Sequence, residues 1–266
     1  DVLNSFSFLT GEQVAKIQQI FAMTSEYVGA TFTQVSPGTV SDAATLLFAN
    51  YSKTGASEGA FATMPGSTNG AGAPGNLAPE SADGDVWINL TAVETNNIIV
   101  SGYTYQTMIH EIGHALGLNH PGDYNAGEQA EITYENSAQV AQDYYTYSIM
   151  TYFPDSVGET DPANQTWGVA DVLALQQLYG ANMTTRTGDT VYGFNSNAGG
   201  IYDFTTNNQP FLTIWDAGGT DTINLSGYSR SQTLDLNAGA LSSVGSETIT
   251  VANNVAIASG ATIENG

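Results

Sequence analysis

Cysteine is absent from this 266-residue chain, which excludes disulfides, thiol nucleophiles and thiolate metal sites. Cations are scarce too: 4 Lys and Arg stand against 26 Asp and Glu, a formal net charge of -22. Nucleic acid and anionic membranes both bind through a basic surface, so neither is an expected partner. Charged residues of all kinds reach only 11%, so Asn, Gln, Ser, Thr and Gly must carry much of the surface. No apolar run approaches the roughly 18 residues that a membrane-spanning helix needs. The chain opens at Asp1 with no Met and no basic-then-apolar leader, and the expectation is a mature or trimmed product. Against these absences, 41% hydrophobic and 10% aromatic residues suffice for a real core, so a folded chain is expected. The carboxylate excess has two physical uses, solubility in salt or the binding of hard cations such as calcium.

Composition changes near residue 184, from mixed helical and strand patterns to short strands separated by Gly, Asn and Asp. The expected fold class is α+β, with domains at 1–184 and 185–266. Thr10 and Gln13 have capping-box spacing, and Val14, Ile17, Phe21 and Val28 recur at helical intervals, predicting a helix over 11–28. Further helices are expected over 103–116 and 167–179, the last stopped in left-handed fashion by Gly180. Strands are expected over 6–9, 31–35, 45–49, 60–64 and 85–90, with a Gly- and Pro-rich loop over 65–84. In the second part they are expected at 191–194, 211–215, 221–225, 248–251 and 255–257.

All three histidines fall in one eleven-residue window, His110-Glu-Ile-Gly-His114-Ala-Leu-Gly-Leu-Asn-His120. Four residues apart on a helix, His110 and His114 project from one face, one turn apart, at a separation a single zinc ion bridges. Glu111 sits beside them, placed to deprotonate a water rather than to ligate. Gly117 can take positive φ, and the turn it makes lets His120 reach the same ion. Three imidazoles and a water form an open, catalytic arrangement rather than a closed structural one. A lone HExxH arises by chance in unrelated helices; the added Gly and third His make the pattern far more specific. Met150, thirty residues after His120, lies in Ser148-Ile-Met-Thr-Tyr152 and fits the Met-containing turn that follows this pattern. The phenol of Tyr152 is a candidate either to approach the metal or to donate to a developing oxyanion.

These motifs closely resemble the serralysins, bacterial secreted metzincin proteases of the calcium-binding RTX type. The resemblance runs through His120-Pro-Gly-Asp-Tyr-Asn-Ala-Gly127, Leu178-Tyr-Gly-Ala-Asn182, Thr187-Gly-Asp-Thr-Val-Tyr-Gly-Phe-Asn-Ser196, Trp215-Asp-Ala-Gly-Gly219 and Ala261-Thr-Ile-Glu-Asn265. It implies a metzincin-like catalytic domain, a twisted mixed sheet with an active-site helix, followed by a small all-β calcium-binding region of β-roll or β-sandwich type. It implies zinc on His110, His114 and His120, Glu111 as catalytic base, and Tyr152 as a further zinc ligand that swings to the transition state. It also implies structural calcium at two places. One takes backbone oxygens of Arg186, Gly188 and Thr190 with Asp216, Gly218 and Asp221. The other takes Gly219 and Asp221 with Thr262 and Glu264. The chain departs from the family in carrying only Asp216-Ala-Gly-Gly-Thr-Asp221 where serralysins continue into repeated GGxGxDxUx turns, and in lacking their extra N-terminal helical segment.

The function expected is zinc-dependent hydrolysis of peptide bonds in extended or unfolded proteins. The setting expected is secreted and extracellular. The strand at 85–90, with Val86, Trp87 and Ile88, is expected to be the sheet edge that takes substrate by strand addition. Expected partners are polypeptide substrates and a proteinaceous inhibitor, around a monomer. The competing reading is a non-catalytic calcium-binding β module or an inactive processed fragment. An intact Glu111 speaks against it, because a structural zinc site has no use for that carboxylate.

Overall fold

The capping box read from Thr10 and Gln13 is formed. Gln13 N–H donates to Thr10 Oγ1 at 3.2 Å, and Thr10 N–H donates to Gln13 Oε1 at 2.8 Å, opening helix α1 (Gly11–Tyr27). The structure, a computed structural model, describes residues 5–35, 44–55, 58–65, 83–126, 131–154, 163–245 and 252–266. Its elements then run β1 (Phe48–Tyr51), β2 (Ala60–Ala62), β3 (Val86–Asn89), α2 (Tyr103–Ala115), α3 (Tyr134–Ser137) and α4 (Val169–Tyr179). Five short strands follow: β4 (Val191–Gly193), β5 (Leu212–Ile214), β6 (Thr222–Asn224), β7 (Leu241–Ser242) and β8 (Val255–Ile257). The α+β class read from the sequence is the one observed.

The chain gathers into two compact units. One holds Asp1–Ala22, Phe32–Asp143 and Met150–Phe153; the other holds Met23–Thr31, Tyr144–Ile149 and Pro154–Gly266. This division differs from a boundary at residue 184, since α4 groups with the C-terminal strands. Side chains show why: Trp167 Nε1 donates to Thr24 Oγ1 at 3.0 Å, and the Tyr27 hydroxyl donates to the Thr213 carbonyl at 2.7 Å.

In the first unit β3 lies between the other two strands, parallel to β1 and antiparallel to β2. Ala49, Trp87 and Phe61 fall in cross-strand register, and the Phe61 and Trp87 rings stack with centroids 6.3 Å apart. Helix α2 lies against β2 and β3. The expectation that Val86, Trp87 and Ile88 form the sheet edge is therefore corrected. All residues of β3 are buried, and its backbone groups are taken on both sides. Its uninterrupted Val-Trp-Ile run is the mark of a strand covered on both faces, not of an open edge.

Among the described residues, the open edge of this sheet is β2. Gly59 accepts from Asn89 N–H and Thr63 N–H donates to Asp85, so residues 59, 61 and 63 face β3. By strand alternation Ala60 and Ala62 turn their backbone groups outward.

Other expectations shift. Residues 6–9 make an isolated bridge, Ser7 to Asn50, instead of a strand, and 31–35 form none. The strand expected at 45–49 starts three residues later, and 248–251 and most of the loop at 65–84 lie outside the described residues. Gly180 ends α4 at a positive φ of 74, as a left-handed stop requires, although its ψ of 152 lies outside the left-handed helical region. In the second unit β4 pairs parallel with β6, and β8 lies between β5 and β7. Strands this short, pairing in parallel across turn residues, suit a region held by its turns as much as by its ladders.

Candidate metal centre

Helix α2 buries Met108, Ile109 and Ile112 on one side, which fixes His110, Glu111 and His114 relative to the sheet. The helix ends on a Schellman motif. Gly117 N–H bonds the His114 carbonyl at 2.9 Å, Leu118 N–H bonds the Gly113 carbonyl at 2.9 Å, and Gly117 sits at φ +96. Only glycine adopts that φ without strain, and the reversal it makes returns His120 to the helix.

The three Nε2 atoms converge: His110 to His114 is 3.1 Å, His114 to His120 is 3.0 Å and His110 to His120 is 3.2 Å. His114 Nδ1 lies 2.8 Å from the Leu118 carbonyl and His120 Nδ1 lies 2.6 Å from the Tyr124 carbonyl. A carbonyl only accepts, so each Nδ1 carries the proton and each Nε2 presents a lone pair. Burial, then the neighbouring His120, pushes the His114 imidazole down to about 4, so it is neutral and ready to ligate. Lone pairs facing one another at this distance make sense around a cation. Three nitrogens bound tetrahedrally at about 2.0–2.1 Å would stand about 3.3 Å apart, close to what is seen. Among the described residues no other His, Asp and Glu side chains form such a group.

Glu111 is buried beside this trio, and burial alone pushes its carboxyl up to about 8. A cation at the histidines acts in the opposite sense, favouring the carboxylate. Tyr152 faces the same point, its ring centroid 4.6 Å from that of His120 and 5.8 Å from that of His110. Met150 is fully buried in the turn just before it. Two residues not singled out from sequence also belong here. Tyr124 stacks on His120 with centroids 5.2 Å apart and planes 9° apart, and Asp143 accepts a hydrogen bond from the Tyr124 hydroxyl at 2.8 Å. A surface pocket of about 380 Å³ lined by Val93, Ile99 and Tyr103 lies at the opposite end of α2 and takes no part in this centre.

In the second unit, most of the residues expected to hold calcium are together. Asp221 Oδ1 accepts from Thr190 N–H at 2.7 Å, while its buried Oδ2 has no hydrogen-bond partner among the described residues. Asp216 accepts from Gly218 N–H at 3.0 Å and from the Tyr192 hydroxyl at 2.7 Å; Glu264 accepts from Asp221 N–H at 2.8 Å. Burial first, then the charges of Asp216 and Glu264, raises Asp221 above the usual carboxylate range. A Cβ at Gly219 would lie 2.5 Å from the Gly188 carbonyl, so only glycine lets that oxygen approach. Arg186 sits at φ 49 with its guanidinium 4.4 Å from the Tyr202 ring, and Thr262 is exposed.

The family model described as Metallo-peptidase family M12 matches residues 14–166, and Peptidase M10 serralysin C terminal matches residues 181–266. Serralysin B of Dickeya chrysanthemi is 44% identical over 245 residues, covering 88% of this chain and 47% of the relative. Metallopeptidase AprA of Pseudomonas marginalis is 39% identical over 276 residues, 99% of this chain and 53% of the relative. Serralysin of Photorhabdus sp. (strain Az29) is 37% identical over 272 residues, 99% of this chain and 52% of the relative. The chain thus spans about half the length of the curated relatives it matches.

Proposed function

The chain belongs to the serralysin-type metallopeptidases, and from that premise we propose that it is a zinc-dependent endopeptidase acting on extended or unfolded polypeptides. The observation that carries this reading is the convergence of three Nε2 lone pairs at 3.0–3.2 Å beside the buried carboxyl of Glu111. His110, His114 and His120 would hold the zinc, which supplies Lewis acidity to polarise the scissile carbonyl and lower the pKa of water toward neutrality. Glu111 takes a proton from the attacking water and returns it to the leaving amine. Tyr152 donates its phenolic hydrogen to the developing oxyanion. Metal analysis tests the reading: the purified chain should carry about one zinc, and a correctly folded chain that takes up no transition metal would overturn it.

Tyr152→Phe is expected to lower kcat by about 10²-fold with little change in KM, the loss of one oxyanion donor. An unchanged kcat removes Tyr152 from the chemistry.

An extended substrate would pair with the outward groups of Ala60 and Ala62 on the β2 edge, main chain supplying affinity. A complex with a peptide inhibitor that showed no backbone pairing there would refute this placement.

Calcium is part of the same proposal. Asp221 Oδ2, which has no hydrogen-bond partner among the described residues, and the nearby charges of Asp216 and Glu264 would suit a hard cation that offsets their repulsion. Added calcium should therefore raise Tm, and Asp221→Asn should abolish most of that rise. A Tm indifferent to calcium in the parent chain would contradict the site. Secretion to the extracellular space rests on the family resemblance and is tested by assaying culture medium and cells of the source organism for the chain.

A further inference from the structure

Asp143 is a wholly buried carboxylate that the proposed mechanism does not use. Its Oδ1 accepts two hydrogen bonds, from the Tyr124 hydroxyl at 2.8 Å and from the Thr151 hydroxyl at 2.5 Å. Its Oδ2 is buried with no hydrogen-bond partner among the described residues. Burying a carboxylate with half its acceptor capacity unmet is costly, and a neutral side chain would tie two hydroxyls together with less desolvation. Each arm of the network ends at the metal centre. Tyr124 lays its ring on His120 at 5.2 Å, and its carbonyl takes the Nδ1 proton of His120 at 2.6 Å. Thr151 accepts Phe153 N–H at 3.1 Å, so the residues on either side of Tyr152 are clamped to each other and, through Asp143, to Tyr124. All of these residues fall within the first compact unit.

We propose that Asp143 is a positioning residue that sets the orientation of the third ligand, His120, through Tyr124, and of Tyr152 through Thr151. The inference rests on the metalloprotease reading. An outer partner of a ligating histidine acts by fixing its tautomer and ring plane, and its loss usually weakens metal binding by about 10- to 100-fold. With Asp143 removed, both hydroxyls lose their common acceptor, Tyr124 is held only by its longer 3.3 Å bond to Thr151 and by the Tyr152 backbone, and the clamp around Tyr152 loosens.

The test measures zinc affinity by competition with a chromogenic chelator, and the visible absorption of the cobalt-substituted protein, for the parent chain and three variants. Asp143→Ala and Tyr124→Phe, which deletes only the hydroxyl, should each weaken zinc by about 10-fold or more and shift the cobalt bands. Asp143→Asn, which keeps an acceptor oxygen, should restore most of the affinity. Should Asp143→Ala fail to fold, Tyr124→Phe still decides. Variants that fold and keep parental zinc affinity and cobalt spectrum would overturn the role of Asp143 while leaving the metalloprotease reading intact. Lowered Tm with an unchanged cobalt spectrum would make Asp143 a structural residue only. A parent chain that binds neither metal overturns the metalloprotease reading, and this inference with it.

Discussion

Glu111→Gln is expected to reduce kcat/KM for peptide hydrolysis by about 10²- to 10⁴-fold or more while leaving zinc content unchanged. The substitution preserves shape and removes only the ability to accept and return a proton. Glu111 follows His110 on α2 and points beside the histidine trio without joining it, so the three ligands survive the change. Glu111→Ala should be at least as damaging. Substantial residual turnover in either variant would take the base role from Glu111, and loss of zinc together with activity would make it a ligand instead.

The largest expected effect on stability lies at Asp171, near the start of α4. Its carboxylate accepts from Ser148 Oγ at 2.6 Å, from Ile149 N–H at 2.7 Å and from Gly168 N–H at 2.9 Å, all within the second unit. Asp171→Ala leaves two buried backbone donors without their acceptor, at about 1–3 kcal/mol each, for a total of about 2–6 kcal/mol. In a chain of this size that lowers Tm by roughly 10 °C. Burial also pushes the Asp171 carboxyl up to about 6 despite its three donors. A carboxyl whose pKa is higher folded than unfolded binds more protons in the folded state. Its contribution to stability therefore falls as pH rises from about 4 to 6. Asp171→Asn should flatten that slope while costing less than Asp171→Ala, and denaturant melts across this pH range measure both. A Tm within a degree or two of the parent for Asp171→Ala would show that these donors find other partners.

The metal centre was legible because its geometry is local. A spacing of four puts His110 and His114 on one helical face, and Gly117 supplies the reversal that returns His120, so eleven residues encode three ligands. The support around it is not local. Asp143 stands 23 residues past His120, in no periodic pattern, and only the fold shows that it meets Tyr124 and Thr151. Tyr124 offered a faint signal, an aromatic one short turn beyond a ligand. The sheet misled in a specific way. Val86, Trp87 and Ile88 form a convincing strand, but apolar residues on both faces mark the middle of a sheet, whereas the edge fell to the short Ala60–Ala62. Likewise α1 was read closely from its cap and spacing, while residues 31–35, rich in β-branched and aromatic side chains, form no strand with any of the described residues. Strand propensity describes a surface that suits a partner, and the partner is set by the rest of the chain.

Peptide-bond hydrolysis by this chain, with a transition metal held by His110, His114 and His120, is the proposed activity. It is tested most directly by cleavage of a denatured protein in excess calcium, with and without ortho-phenanthroline. Calcium stays available throughout, so the chelator reports on the transition metal alone. Cleavage should stop with the chelator and return when zinc is restored. Cleavage that continues in the chelator, or none at all from a chain loaded with zinc, would contradict the claim, the second outcome favouring an inactive fragment or a calcium-binding module.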